Sequence, residues 1–190
     1  MKTIQKAWFG LVGVAFAMGC IPSIHPIYTE QDVVQRDEIV GRWIDKDGSE
    51  TWHFHRADEG SYRLVLVDQE GRDAMFSVHL TEIGGALFMD LFPVRADATN
   101  PGFYEHHLVS VHSFLRVSLT DQALGLSFLH PEWLKRNRAE LGTTLPYVQH
   151  DKNSLLLTGD TATLRKFLAE HIEAEGAFSE PWLLSRVKDR

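Results

Sequence analysis

Histidine is the residue type in this chain whose number and spacing most suggest chemistry, since ten of the 190 residues are histidines. His53 and His55 are two apart in a segment of alternating polar and apolar residues, so on a strand both rings point the same way. Such a pair is a known metal-ligand geometry, and His79 is a candidate third ligand. The alternation of these histidines with Trp52 and Phe54 favours a solvent-facing set instead. We therefore predict no metal and no other cofactor.

Further catalytic motifs find little support in the sequence. Asp45–Gly48 partly resembles a calcium loop, but Phe54 stands where that loop needs a carboxylate, so a hairpin turn is the better interpretation. There is no G-x-S-x-G, no H-E-x-x-H and no glycine-rich phosphate loop before a helix. Asp90, between two apolar residues, is expected to face solvent. A binding or structural role is favoured over an enzymatic one.

The single cysteine, Cys20, follows a segment with the layout of an export signal. Lys2 and Lys6 precede the uncharged apolar run Ala7–Ala17, and small residues stand just before the cysteine. This order is typical of a secretory signal, and the run is shorter than the roughly 20 residues of a membrane-spanning helix. We expect residues 1–19 to be removed as a signal peptide. One cysteine also excludes an internal disulfide.

Ala17-Met18-Gly19-Cys20 resembles the lipobox of bacterial lipoproteins. The resemblance implies that fatty acids such as palmitate are attached at Cys20, which becomes the first mature residue and is then unavailable for thiol catalysis. In Gram-negative bacteria an Asp after the cysteine usually signals inner-membrane retention, so Ile21 implies the periplasmic or surface face of the outer membrane. The alternative is an ordinary signal peptide cut near Gly19. The stretch Cys20–Val40 also resembles short lipoproteins of environmental bacteria, which implies no activity.

The charge of the chain restricts its partners. The net charge is −7, and removal of Lys2 and Lys6 with the signal peptide brings it to −9. An acidic chain in which we find no cluster of Lys and Arg is a poor partner for nucleic acid, because phosphate neutralisation needs a positive face. Anionic headgroups repel such a body, so the lipid would provide the membrane attachment.

From Ile39 onward, apolar residues recur with a period of two, which is typical of strands. The predicted strands cover residues 39–45, 50–56, 62–67, 74–83, 86–92, 123–129 and 154–158, with one long bent strand or two within 103–119. Short turns at regular spacing predict a mainly β fold, an antiparallel meander that closes as a barrel, with a β-sandwich as the alternative.

Two helices and two terminal segments complete the predicted organisation. One helix begins at Pro131 and ends near Leu141, and Asp160 caps another that extends to about Ala174. Pro22 and Pro26 predict an irregular spacer after the lipidated cysteine. The predicted parts are a signal peptide at 1–19, a lipidated tether and linker at 20–38, a barrel-like domain with its C-terminal helix at 39–175, and a tail at 176–190 that packs back on the domain.

Gly41-Arg42-Trp43 on the first strand resembles the Gly-x-Trp signature of lipocalins, and the layout of residues 39–174 resembles theirs. The resemblance implies an eight-stranded barrel closed at one end by Trp43, with a helix outside the wall. It also implies an arginine from a late strand over the tryptophan, for which Arg116 is the candidate. The chain departs from that family because the usual disulfide is absent and a helix precedes the last strand. We therefore describe it as lipocalin-like.

Aromatic residues on the strands supply the candidate ligand-binding residues: Trp43, Trp52, Phe54 and Phe76. Inward-facing aromatics fill the core of most β proteins, but in a barrel they can line a cavity for an apolar ligand. The leading hypothesis is a module of the cell envelope that binds a small apolar or lipidic ligand and is held at the membrane by lipid. The alternatives are a structural or protein-interaction lipoprotein with an envelope protein partner, and a metal-dependent enzyme using the strand histidines.

Overall fold

The computed structural model describes residues 21–58, 60–94, 108–141, 144–149 and 155–188, without the side chains of residues 140 and 141. The signal peptide and Cys20 lie outside the described residues, as does most of the predicted loop after residue 93. Within these ranges, no helix combines the length and apolar character needed to cross a bilayer.

The chain forms ten strands, two α-helices and one 3-10 helix in the described ranges. In chain order these are the 3-10 helix Asp37–Ile39, β1 Gly41–Asp45, β2 Thr51–Arg56, β3 Tyr62–Val67, β4 Asp73–Ile83, β5 Ala86–Pro93, β6 Ser113–Leu119, β7 Ala123–Ser127, α1 Pro131–Leu141, β8 Tyr147–Gln149, β9 Leu155–Leu157, α2 Thr161–His171 and β10 Trp182–Arg186. Strands β1 to β7 form an antiparallel meander, and β10 closes it into an eight-stranded barrel between β7 and β1. The predicted lipocalin-like barrel is thereby confirmed over the sandwich.

The last barrel strand differs from the one that the sequence predicted. We predicted a final strand at 154–158, but β9 pairs with β8 in a separate two-stranded sheet. The segment interpreted as a tail supplies β10, which pairs with both β7 and β1. Where one long bent strand or two were predicted within 103–119, the structure describes β6 from Ser113, and Val109 before it is 75% exposed.

Local turns and caps agree with the sequence. The carboxylate of Asp45 accepts hydrogen bonds from the backbone N–H of Ser49 at 2.7 Å and of Glu50 at 3.1 Å, which identifies a hairpin turn rather than a calcium loop. Asp160 accepts a hydrogen bond from the N–H of Thr163 at 2.8 Å and so caps α2 as predicted.

One end of the barrel is closed by Trp43. Its indole N–H donates to the carbonyl of Ile39 at 2.8 Å, which ties the 3-10 helix across the barrel end. Arg186 on β10 covers the ring, with its guanidinium carbon 4.2 Å from the ring centroid. Arg116 was therefore the wrong candidate, because it faces outward between the inward Leu115 and Val117.

Glycine at position 41 is required by this arrangement. Gly41 has a φ of 124°, which disfavours other residues, and a Cβ there would lie 2.8 Å from Nη1 of Arg186. The Gly-x-Trp signature and the late arginine thus form one packing unit.

A second apolar layer covers the outer face of β4, β5 and β6. Phe88 and Phe114 point outward from the barrel and join a buried cluster with residues of both helices, of β9 and of the N-terminal segment. That segment is not a free spacer, because Ile21 and Ile27 are buried in this layer. The predicted tether therefore packs on the domain from the first described residue.

Candidate functional site

The four predicted ligand-binding residues belong to the barrel interior. Trp43 and Phe54 are fully buried, Trp52 is nearly so, and Phe76 is partly buried beside them. Trp52 packs edge-on against Trp182 with ring centroids 5.8 Å apart. The structure thus brings the four together as part of one core.

This core leaves no room for water beside its main side chains. An internal cavity would leave accessible surface on the residues that line it, yet eight residues of this cluster from six of the barrel strands have 0% exposure: Trp43, Phe54, Leu64, Val78, Leu80, Met89, Leu124 and Leu126. An apolar ligand in this part of the barrel would have to displace packed side chains.

The candidate metal-ligating histidines are on different strands, because β3 lies between β2, which carries His53 and His55, and β4, which carries His79. His53 and His55 face outward with ring centroids 3.8 Å apart. The register aligns His53 with Met75 across β3, so His79 lies four residues further along β4, about 13 Å along the strand. Among the described residues, no group of three or more His, Cys, Asp or Glu is arranged to hold a metal ion.

A buried polar pair lies where β5 and β6 meet the N-terminal segment. Asp90 is 1% exposed, which corrects our expectation that it faces solvent. It points out of the barrel as expected from the alternation, but the N-terminal segment covers it. Its carboxylate hydrogen-bonds Nδ1 of His112 at 2.7 Å and accepts the backbone N–H of Ile27 at 2.9 Å. The pair fastens that segment to the barrel.

Tyr28 and His79 extend this polar cluster. Their rings stack with centroids 4.0 Å apart and an interplanar angle of 17°. Burial lowers the pKa of His79 and the nearby His112 lowers it further, against an opposing effect of Asp90. Burial also raises the pKa of Tyr28, and the Asp90 carboxylate acts in the same direction. The cluster is thus arranged to keep both rings uncharged at neutral pH.

Asp90 and His112 are the residue types that serve as acid and base in a catalytic triad, and Ser23 pairs with the backbone of His112. The Ser23 hydroxyl, however, is hydrogen-bonded elsewhere. Ser23 is fully buried, and its hydroxyl donates to the carbonyl of His25 at 2.8 Å. A buried serine with its proton committed to a backbone carbonyl is not a nucleophile poised for attack. We interpret the pair Asp90 and His112 as structural.

The residues directly after Cys20 are fixed on both sides by backbone hydrogen bonds. Ser23 exchanges two bonds with His112, at 2.9 and 2.8 Å. On the other side, the N–H of Leu157 donates to Pro22 at 2.9 Å and the N–H of Ile24 donates to Leu157 at 2.9 Å. The chain therefore enters the domain between β9 and the start of β6.

A groove of about 320 Å³ lies beside this entry point, between α1 and the sheet of β8 and β9. Its lining residues are Leu134, Lys135, Arg136, Arg138, Tyr147, Gln149 and Leu155. Three cations here contrast with the acidic chain as a whole, although Lys135 forms an ion pair of 2.8 Å with Glu132 on the same helix. Our prediction that the chain has no cluster of Lys and Arg is therefore wrong at Lys135–Arg138, a local run that the net charge of −7 does not reveal.

A second groove, of about 390 Å³, lies between the outer face of β6 and β7 and the connection from α2 to β10. Arg116 and Glu173 form an ion pair of 3.2 Å at its edge, and Arg116 also donates to the carbonyl of Ile172 at 3.1 Å. Phe178 and Pro181 contribute apolar surface to the same groove. Mixed polar and apolar surface of this kind suits a protein partner.

Comparison with known proteins adds no assignment. No family model matches the chain, and neither the curated proteins nor the solved structures include a match.

Proposed function

We propose that the chain is a lipoprotein of the bacterial cell envelope whose filled barrel serves as a structural or protein-interaction module. The observation that carries this proposal is the packed interior, since eight interior side chains are inaccessible to water. A barrel packed in this way offers its outer surface rather than its interior. Of the three roles that the sequence left open, this favours a structural or protein-interaction role over containment of an apolar ligand.

Attachment through lipid at Cys20 rests on the export pattern of residues 1–19 and on the position of the single cysteine. The docked segment supports it in one further respect. Because residue 22 is already hydrogen-bonded to β9, a lipid at position 20 would hold the folded body directly at the bilayer surface. In a Gram-negative host, we propose the outer membrane as the location because Ile21 follows the cysteine.

Radiolabelled palmitate supplied to cells that express the full chain tests the anchor. We expect label on the wild-type protein and none on Cys20→Ser, which should also leave the membrane fraction. Equal fractionation of both proteins with membranes, without label, would contradict the proposal.

The second groove is the surface where we expect the partner to bind. A photoreactive residue at the exposed position Glu173, activated in intact cells, should give a discrete adduct with an envelope protein. The matched position is Arg63, which is exposed on β3. An equal adduct pattern at both positions would contradict a specific partner at this groove.

A further inference from the structure

The three cations of α1 lie beside the place where the chain would leave the membrane. The parallel bridge between Ser23 and Leu157 holds the N-terminal segment beside β9, and Ile21 belongs to the same buried cluster as Leu155. Leu155 in turn pairs with Gln149 on β8. Leu155 and Gln149 both line the groove that holds Lys135, Arg136 and Arg138.

In the sequence, position 20 directly precedes Ile21, so a lipid on Cys20 would be attached next to this buried residue. A lipid there would bring the basic groove to the level of the phosphates in the same leaflet. Basic residues next to an anchor are attracted to anionic headgroups, with an effect that falls off over one Debye length.

We infer that the face formed by α1 and by β8 and β9 docks on the anionic headgroups of the bilayer that holds the anchor. The inference rests on the proposed lipid at Cys20 for its location and on charge complementarity for its partner. Apolar surface next to the cations fits the same occupant, since Val148 on β8 is 54% exposed. The acidic remainder of the body is repelled by the same surface, so the two effects together orient the domain.

Vesicle binding of a chain without lipid tests this inference separately from the anchor. The described packing lies within residues 21–188, so a chain that begins at position 20 and carries Cys20→Ser retains both buried clusters. We expect it to bind vesicles of phosphatidylcholine with phosphatidylglycerol, and to bind pure phosphatidylcholine much less. High salt should remove the difference.

The decisive comparison is between two triple variants that each remove three positive charges. K135Q/R136Q/R138Q should weaken partition to the anionic vesicles by about tenfold or more. R42Q/K46Q/R63Q, whose positions are exposed on β1, its turn and β3, should change partition by less than about twofold. Thermal melting and circular dichroism establish that both variants fold. If the α1 triple variant fails to fold, the single variants R136Q and R138Q take its place, with R42Q and R63Q as their controls. We expect each α1 single variant to partition to the anionic vesicles about fivefold less than the wild type.

Equal loss in both sets, or binding that does not depend on phosphatidylglycerol, would overturn the inference. Displacement from vesicles by inorganic phosphate at matched ionic strength would also overturn it, because it would assign the groove to a soluble anion. Absence of palmitate on Cys20, in contrast, would remove the proposed anchor while the vesicle result still reports on the groove.

Discussion

Arg186 is the residue on which the closed end of the barrel depends most. Its guanidinium stacks on Trp43 and donates to the carbonyls of Val40 at 2.8 Å and Asp121 at 2.6 Å, and also to that of Glu38. We expect Arg186→Ala to lower the free energy of unfolding by about 2–4 kcal/mol, because carbonyls and a ring face lose a charged partner together. Urea denaturation followed by tryptophan fluorescence measures this loss.

Arg116→Ala is the matched comparison for that prediction. Its ion pair with Glu173 is exposed, so we expect a loss below about 1 kcal/mol. A loss as large as that of Arg186→Ala would contradict the prediction that Arg186 over Trp43 stabilises the fold more than an exposed arginine does.

His79 gives the protein a dependence of stability on pH. Its pKa in the folded state is below the ordinary value near 6.5, so the unfolded chain takes up the proton first as the pH falls. The free energy of unfolding should therefore be fully retained above pH 6.5 and fall as the pH drops toward the folded pKa.

His79→Phe keeps an aromatic ring against Tyr28 and removes the titrating group. We expect its stability to fall less steeply than that of the wild type between neutral pH and the folded pKa of His79. Guanidinium titrations at a series of pH values give both curves. Parallel curves would mean that His79 is not linked to folding.

For single residues, the sequence predicted whether a side chain points into or out of the barrel better than it predicted whether that side chain is buried. The alternation correctly put Trp52 and Phe54 inside and their neighbouring histidines outside. It also put Asp90 outside the barrel, but it could not reveal that residues more than 60 positions earlier cover it. An arginine over Trp43 was foreseeable from the lipocalin resemblance, whereas choosing Arg186 required knowing which late strand pairs with β1.

Strand β10 is the element that closes the barrel, so its removal should prevent folding. A chain that ends at Pro181 leaves the backbone groups of β7 and β1 without their partner strand. We expect it to be rapidly degraded by a low concentration of protease and to lack the far-ultraviolet signal of the full chain.

A chain that ends at Lys188 retains β10 and is the control. It should resist protease as the full chain does. Equal resistance of the chain that ends at Pro181 would contradict the role of β10 in closure.

The two elements that the sequence misplaced share a physical cause. Trp182-Leu183-Leu184 is a continuous apolar run, so the outward position of Leu183, which is 59% exposed, is not visible as alternation. Residues 22–24 join the sheet through only a few long-range backbone hydrogen bonds. The prolines nearby predicted irregular structure, but they do not prevent these few bonds. Strands that pair with their chain neighbours were predictable from turns, and strands that pair with distant segments were not.

The buried side chains of the barrel core make a prediction about cavities. Phe54→Ala should lower the free energy of unfolding by about 3–5 kcal/mol, since it removes a fully buried side chain from a packed core. Denaturant unfolding measures the effect, with Leu183→Ala on the exposed face of β10 as the control. A cost near that of the control would indicate an open interior.

Native mass spectrometry of the chain that begins at position 20 with Cys20→Ser tests whether the barrel holds a ligand. We expect its mass to be that of the polypeptide alone. A co-purified lipid that Phe54→Trp displaces would restore the ligand-binding hypothesis.

The docked N-terminal segment also sets how far the protein reaches. As an extended spacer, residues 21–38 would span about 60 Å and let the barrel search deep into the compartment. Folded against β5 and β6, they add none of that length. If position 20 carries the proposed acyl chains, the body would be confined to a layer about as thick as itself. Its partners would then have to be resident at the same membrane or be delivered to it, and a role in bridging two membranes would need a partner long enough to cross the gap.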